Sequence, residues 1–216
     1  MTTGALVNAR VNYGYGKVAQ NLGFAYSWYR PQTGVGALDA SGLLGTVTAY
    51  ITTDASLKSA VPPSDASPNW YGAYDSTLTQ PGDYFVGALG TFFIAAEFLP
   101  APPALVFCNE TFTLSRRGET VPGPAFRGGG GQNPTTYATA FPGWIKAGGR
   151  RQPSFLHLPG EVQNPTSAVL LPQSIPQQIL RGDILTSAET TPQVWQVQSA
   201  DLSFNCWNLV VTKVDV

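Results

Sequence analysis

Along this chain, apolar positions recur in short clusters separated by glycine, proline and polar turns, which is the pattern of strands rather than of helices. The clearest clusters fall in two runs, Gly82–Ser115 and Gly182–Val216. Each run opens on Gly-Asp and steps into an apolar strand, Tyr84-Phe85-Val86 in one and Ile184-Leu185-Thr186 in the other. Each continues into a strand with an aromatic near its start, Phe92-Phe93-Ile94 and Val194-Trp195-Gln196-Val197. Each ends in a third apolar-rich strand with a Cys beside an Asn, Cys108-Asn109 and Asn205-Cys206. The interval from Gly-Asp to the aromatic is about two residues longer in the second run, an insertion that a hairpin loop absorbs at little entropic cost. We read the runs as two copies of one β-module. Gly-Asp serves as its turn, because Gly takes positive φ freely and Asp bonds the backbone ahead of it.

The correspondence extends upstream. Thr46–Thr52 (TVTAYIT) precedes the first run much as Thr135–Lys146 (TTYATAFPGWIK) precedes the second, and Trp70–Tyr74 and Ser167–Leu171 fill the next place. Each half then has about five short strands, the content of a small SH3-like or OB-like barrel. Residues 5 to 22 carry a helical stripe of Val11, Tyr15, Val18, Ala19 and Leu22, with Gly23 as its stop. Phe24 to Pro31 reads as an extended aromatic strand. Residues 32–45, 53–69, 118–134 and 148–165 read as loops. The expected fold is mainly β: two small SH3/OB-like β-barrel modules with an N-terminal helix and long loops. The expected organisation is an N-terminal helix and extended arm (1–30), a first β-module (31–117), a Gly-rich linker (118–134) and a second β-module (135–216).

Composition narrows the function classes. Charged residues are only 12% of the 216-residue chain and the formal net charge is −1, so a basic nucleic-acid groove is not expected. A surface so poor in charge points to burial against other subunits. There is no apolar run of membrane-spanning length. The first residues lack a signal-peptide apolar stretch, so a cytoplasmic site of synthesis is expected. Cys108 and Cys206 read as buried, reduced thiols.

His157, the single histidine, lies near Ser154, but without a nucleophile-elbow motif it reads as a loop histidine. Asp83 and Asp183 invite comparison with paired glycosidase carboxylates, yet each is explained by its turn. Gly128 to Gly131 lacks the Lys-Ser/Thr of a phosphate loop and reads as a hinge or a disordered loop. Arg181-Gly182-Asp183 matches an integrin-binding tripeptide but belongs to the repeated turn. Asn109-Glu110-Thr111 is a glycosylation sequon with no secretory signal. Arg116-Arg117 and Arg150-Arg151 form basic doublets that read as solvated loop residues, with contact to nucleic acid or an acidic neighbour as the alternative. Trp28, Trp70, Trp144, Trp195 and Trp207 suit core filling better than a carbohydrate platform. No catalytic, cofactor-binding or metal-binding residue is assigned, and the chain is not read as an enzyme.

The stretches NYGYGKVAQNLGFAYSWYRP, PNWYGAYD, QPGDYFVGALGTFFIAAEFLPAPPALVFCNETFTLSR and LRGDILTSAETTPQVWQVQSADLSFNCWNLVV together resemble structural proteins of tailed phages and proteobacterial prophages. The resemblance implies a virion component that forms a symmetric ring in the tail tube, baseplate or head–tail neck. Its partners would be copies of itself and other phage tail, baseplate or neck proteins, with no membrane and no direct nucleic-acid contact. It implies no catalytic residue. A carbohydrate- or receptor-binding tail component is the alternative, and exposed Trp and Tyr would favour it. Loops 32–45, 53–69 and 118–134, with the helix, are expected to make the intersubunit contacts.

Overall fold

The computed structural model describes residues 3–54, 56–57, 68–116, 134–146 and 166–214. Loop 148–165, most of loop 53–69 and the Gly-rich segment up to position 133 lie outside those residues. The described chain is mainly β. Strands β1 (Phe24–Tyr29), β2 (Leu43–Thr52), β3 (Asn69–Ala73), β4 (Tyr84–Gly87), β5 (Gly90–Ala96) and β6 (Ala104–Cys108) form one set. Strands β7 (Glu110–Arg116), β8 (Thr135–Lys146), β9 (Thr166–Pro172), β10 (Ile184–Ser187), β11 (Val194–Ser203) and β12 (Cys206–Lys213) form the other.

Both sets close into barrels by the same walk, β1-β2-β3-β6-β5-β4 and β7-β8-β9-β12-β11-β10. Closure leaves neither sheet with an open edge. The likeness extends to irregularities: β5 slips register between Ile94 and Ala96, and β11 slips between Val197 and Ser199. The expectation of two barrel modules therefore holds, with corrections in detail. Each barrel has six strands, not five. Phe24–Tyr29 is the first strand of the first barrel and pairs with both β2 and β4, so it is not an arm. The passage between barrels falls at Asn109, between β6 and β7. The supposed third strand of the first run is thus two strands in two barrels. The cysteines lose their equivalence for the same reason: Cys108 ends β6, whereas Cys206 begins β12.

The first barrel is filled by aromatic rings. Tyr26, Trp70, Tyr74, Phe85 and Phe92 form one cluster, with Tyr74 meeting Phe85 edge-on at 5.0 Å and Trp70 meeting Phe92 at 5.8 Å. The core of the second barrel does not stop at its own wall. Tyr84, Phe93 and Val106 of the first barrel belong to the same cluster as Phe112, Leu185 and Trp195 of the second. Tyr84 Oη donates to the Pro142 carbonyl at 2.8 Å, and Ser174 Oγ donates to the Gly82 carbonyl at 3.0 Å. On β4, Phe85 fills its own barrel while Tyr84 reaches the neighbour. This explains why β4 and β5 read as continuous apolar runs, since both of their faces are buried.

The helix α1 spans Thr3–Leu22. It rests on β2 and β3 with Ala19 buried and Val11, Tyr15 and Val18 half-buried, while Leu22 departs from the expected stripe and is exposed. Tyr15 Oη donates to the Pro100 carbonyl at 2.7 Å, and Asn12 Oδ1 accepts the Ser76 N–H at 2.9 Å. Gly23 follows the helix, and a Cβ there would stand 2.5 Å from the Ala19 carbonyl oxygen and 2.7 Å from the Ala49 backbone, so a side chain does not fit.

Candidate functional site

The most organised polar groups are two equivalent arginine–aspartate clamps. Strand β1 pairs with β4 up to Tyr29 opposite Tyr84, and β7 pairs with β10 up to Ser115 opposite Ile184. One step further along each ladder stand Arg30 opposite Asp83 and Arg116 opposite Asp183. Arg30 donates Nε to Asp83 Oδ1 and Nη2 to Oδ2, both at 2.8 Å. Arg116 does the same to Asp183 at 2.7 and 2.8 Å. The second Nη2 hydrogen of each is given to a carbonyl of the preceding turn, Leu78 at 3.0 Å and Gln178 at 2.7 Å. Each aspartate also accepts a backbone N–H three residues back, from Gln80 and Leu180. A ring completes each clamp from a different strand: Trp28 on β1 donates Nε1 to Asp83, and Tyr137 on β8 donates Oη to Asp183. Each guanidinium lies over that same ring.

The carboxylates are buried and the guanidinia are about one-third exposed. Burial opposes the charge of Asp183, but Arg116, the Leu180 N–H and the Tyr137 hydroxyl outweigh it and hold its carboxyl below the usual range. Burial, with the neighbouring Asp183 carboxylate, pushes the Tyr137 phenol far up. Each clamp thus ties one of the two strand pairs that join the three-strand halves of its barrel.

A second polar site lies where the barrels meet. An open cleft of about 320 Å³ is lined by Thr91 and Cys108 from the first barrel and by Glu110, Thr111 and Glu189 from the second. Burial, reinforced by Glu189, raises the Glu110 carboxyl above its ordinary value despite the Thr111 N–H that it accepts at 2.8 Å. The Cys108 thiol is pushed well up by burial, which holds it in the un-ionised, unreactive form.

Asp83 and Asp183 are each engaged in a salt bridge, so the turn accounts for only part of their role. Arg116, expected in a solvated loop, is the partner of Asp183, and Arg30 went unnoticed. The Arg181-Gly182-Asp183 tripeptide does not present its carboxylate, which Arg116 holds. Asn109 spends its amide on the chain, with Oδ1 accepting the Ile145 N–H at 2.8 Å and Nδ2 donating to the Ile145 carbonyl at 2.9 Å. Trp70, Trp144, Trp195 and Trp207 are buried and Trp28 is half-buried, as core filling requires. His157, Ser154, Arg117, Arg150, Arg151 and Gly128 to Gly131 lie outside the described residues. Among the described residues, no group of three or more His, Cys, Asp or Glu is placed to hold a metal, and no helix is long and apolar enough to cross a membrane.

What the surface offers instead is apolar. Tyr13, Leu78 and Phe204 are 69%, 70% and 78% exposed, and Leu6, Phe24 and Phe98 are also exposed. Comparison with family models, with curated proteins and with solved structures finds no match.

Proposed function

We propose that this chain is a structural subunit of a tailed-phage virion, forming a symmetric ring in the tail tube, baseplate or head–tail neck and joining neighbouring virion proteins. The observation that carries this reading is how the chain distributes its polar and apolar groups. Its best-organised charges are spent on closing its own barrels, while large apolar side chains face outward on the helix and on hairpin ends. A surface of that kind suits permanent contacts between subunits. The shared cluster around Tyr84 couples the two barrels into one stiff unit, as a ring component under load requires. The burial of four of the five tryptophans weighs against a carbohydrate platform. The salt bridges of Asp83 and Asp183 weigh against a catalytic acid pair.

The test is mass spectrometry of particles purified from a lysate, followed by cryo-EM. The chain is expected in stoichiometric amounts, in a closed ring of identical copies. Its presence in the lysate but not in washed particles would overturn the reading.

A further inference from the structure

Two exposed apolar patches, one on each barrel, carry opposite charge. One is the tip of the β11–β12 hairpin. Ser203 pairs with Cys206, so Phe204 and Asn205 form a two-residue turn, with φ +49° and +56°. That turn demands positive φ at both positions, a demand usually met by Asn-Gly. A phenylalanine there is strained, and its ring is 78% exposed, so nothing within its own barrel repays the strain. Three residues before it on the same hairpin stands exposed Asp201, the one charged residue between Ser199 and Asn208.

The other patch is the outer face of α1. Leu6, Arg10, Tyr13 and Lys17 follow one another at helical spacing, and the Lys17 ammonium lies 5.6 Å from the Tyr13 ring centre. Residues 4–10 are exposed all round. A half-helix without packing is marginal in water. The helix contains two cations and no acid.

We propose that the Phe204 tip of one copy docks on the outer face of α1 of the next, with Asp201 set against Arg10 and Lys17. The patches lie on different barrels, so copies that repeat the contact in one direction meet head-to-tail and close into a ring. This deepens the ring reading proposed above and rests on it.

The test uses the full chain in sedimentation equilibrium over a range of concentrations, with melting followed in parallel. The wild type is expected to self-associate. Phe204→Gly, which relieves the backbone, should melt at the same or a higher temperature while self-association weakens by at least about tenfold. Asp201→Lys should weaken association, and adding Arg10→Glu to it should restore affinity. A wild type that stays monomeric would overturn the proposal. So would unchanged association in Phe204→Gly, a lowered melting temperature in that variant, or failure of the charge-swapped pair to recover. If purified particles nevertheless contain the chain, only this contact falls and the virion reading stands.

Discussion

Asp83 and Asp183 occupy the same point of two barrels, each facing an arginine one step past the last pair of the strands that close its barrel. The two clamps agree down to the backbone N–H that each aspartate accepts from three residues back and the carbonyl that accepts from the same guanidinium nitrogen. The duplication is therefore one of a working part as well as of a topology.

That equivalence predicts equal sensitivity. Arg30→Met and Arg116→Met each leave a buried carboxylate without its partner, which costs roughly 3–5 kcal/mol. Chemical denaturation of the two variants should show losses of similar size. A loss at one site only would mean that one clamp is ornamental.

Acid should act on the two carboxylate sites in opposite directions. The native pKa of Asp183 is depressed, so its contribution is present above the unfolded-state value near 3.8 and is lost as pH falls through the lower native value. Asp183→Asn should therefore flatten the acid side of the stability profile. Glu110 is raised by burial, so its contribution is present below the unfolded-state value and is lost as pH rises through the native one. Glu110→Gln should stabilise the fold at pH 7 and give no gain at pH 3. Melting curves of both variants across pH 3–8 check the signs.

Tyr26 makes a third test. Its ring sits in the aromatic core of the first barrel, and its buried hydroxyl has no hydrogen-bond partner among the described residues. Burial pushes the phenol up to about 12. Tyr26→Phe keeps the ring contacts with Phe85 and Phe92 and removes the unsatisfied group. A gain of about 1 kcal/mol is expected from denaturant titration. A loss would reveal a partner for that hydroxyl.

How much of this could be read from the chain depended on distance along it. Gly-Asp announced both turns because a turn is local chemistry, and β8 was bounded at Thr135 and Lys146 by its own residues. The clamps were hidden because Arg30 and Arg116 lie 53 and 67 residues from their aspartates. Pattern alone cannot supply that register. The equivalence of β1 and β7 was hidden too. FAYSWYR and ETFTLSR share the alternation of Tyr26 and Trp28 with Phe112 and Leu114, and the closing arginine, but little else. The third member of each clamp, Trp28 or Tyr137, comes from a non-equivalent strand and leaves no repeat to find. The cysteines misled for the opposite reason: their likeness was local and did not survive pairing.

Gly82 and Gly182 allow the repeat to be tested against its surroundings. Both hold φ +93°, where a side chain is strained by roughly 1–2 kcal/mol. Around Gly182 a Cβ would meet nothing within 4 Å, so Gly182→Ala should cost that strain and no more. At Gly82 a Cβ would lie 2.9 Å from Ser174 Cβ, on the second barrel. There the same substitution also pushes on the seam where Ser174 Oγ reaches the Gly82 carbonyl. Gly82→Ala should therefore be the more damaging of the two, and pairing it with Ser174→Gly should recover the difference. Equal costs at the two glycines would mean that the barrels part easily and that the seam contributes little to stability.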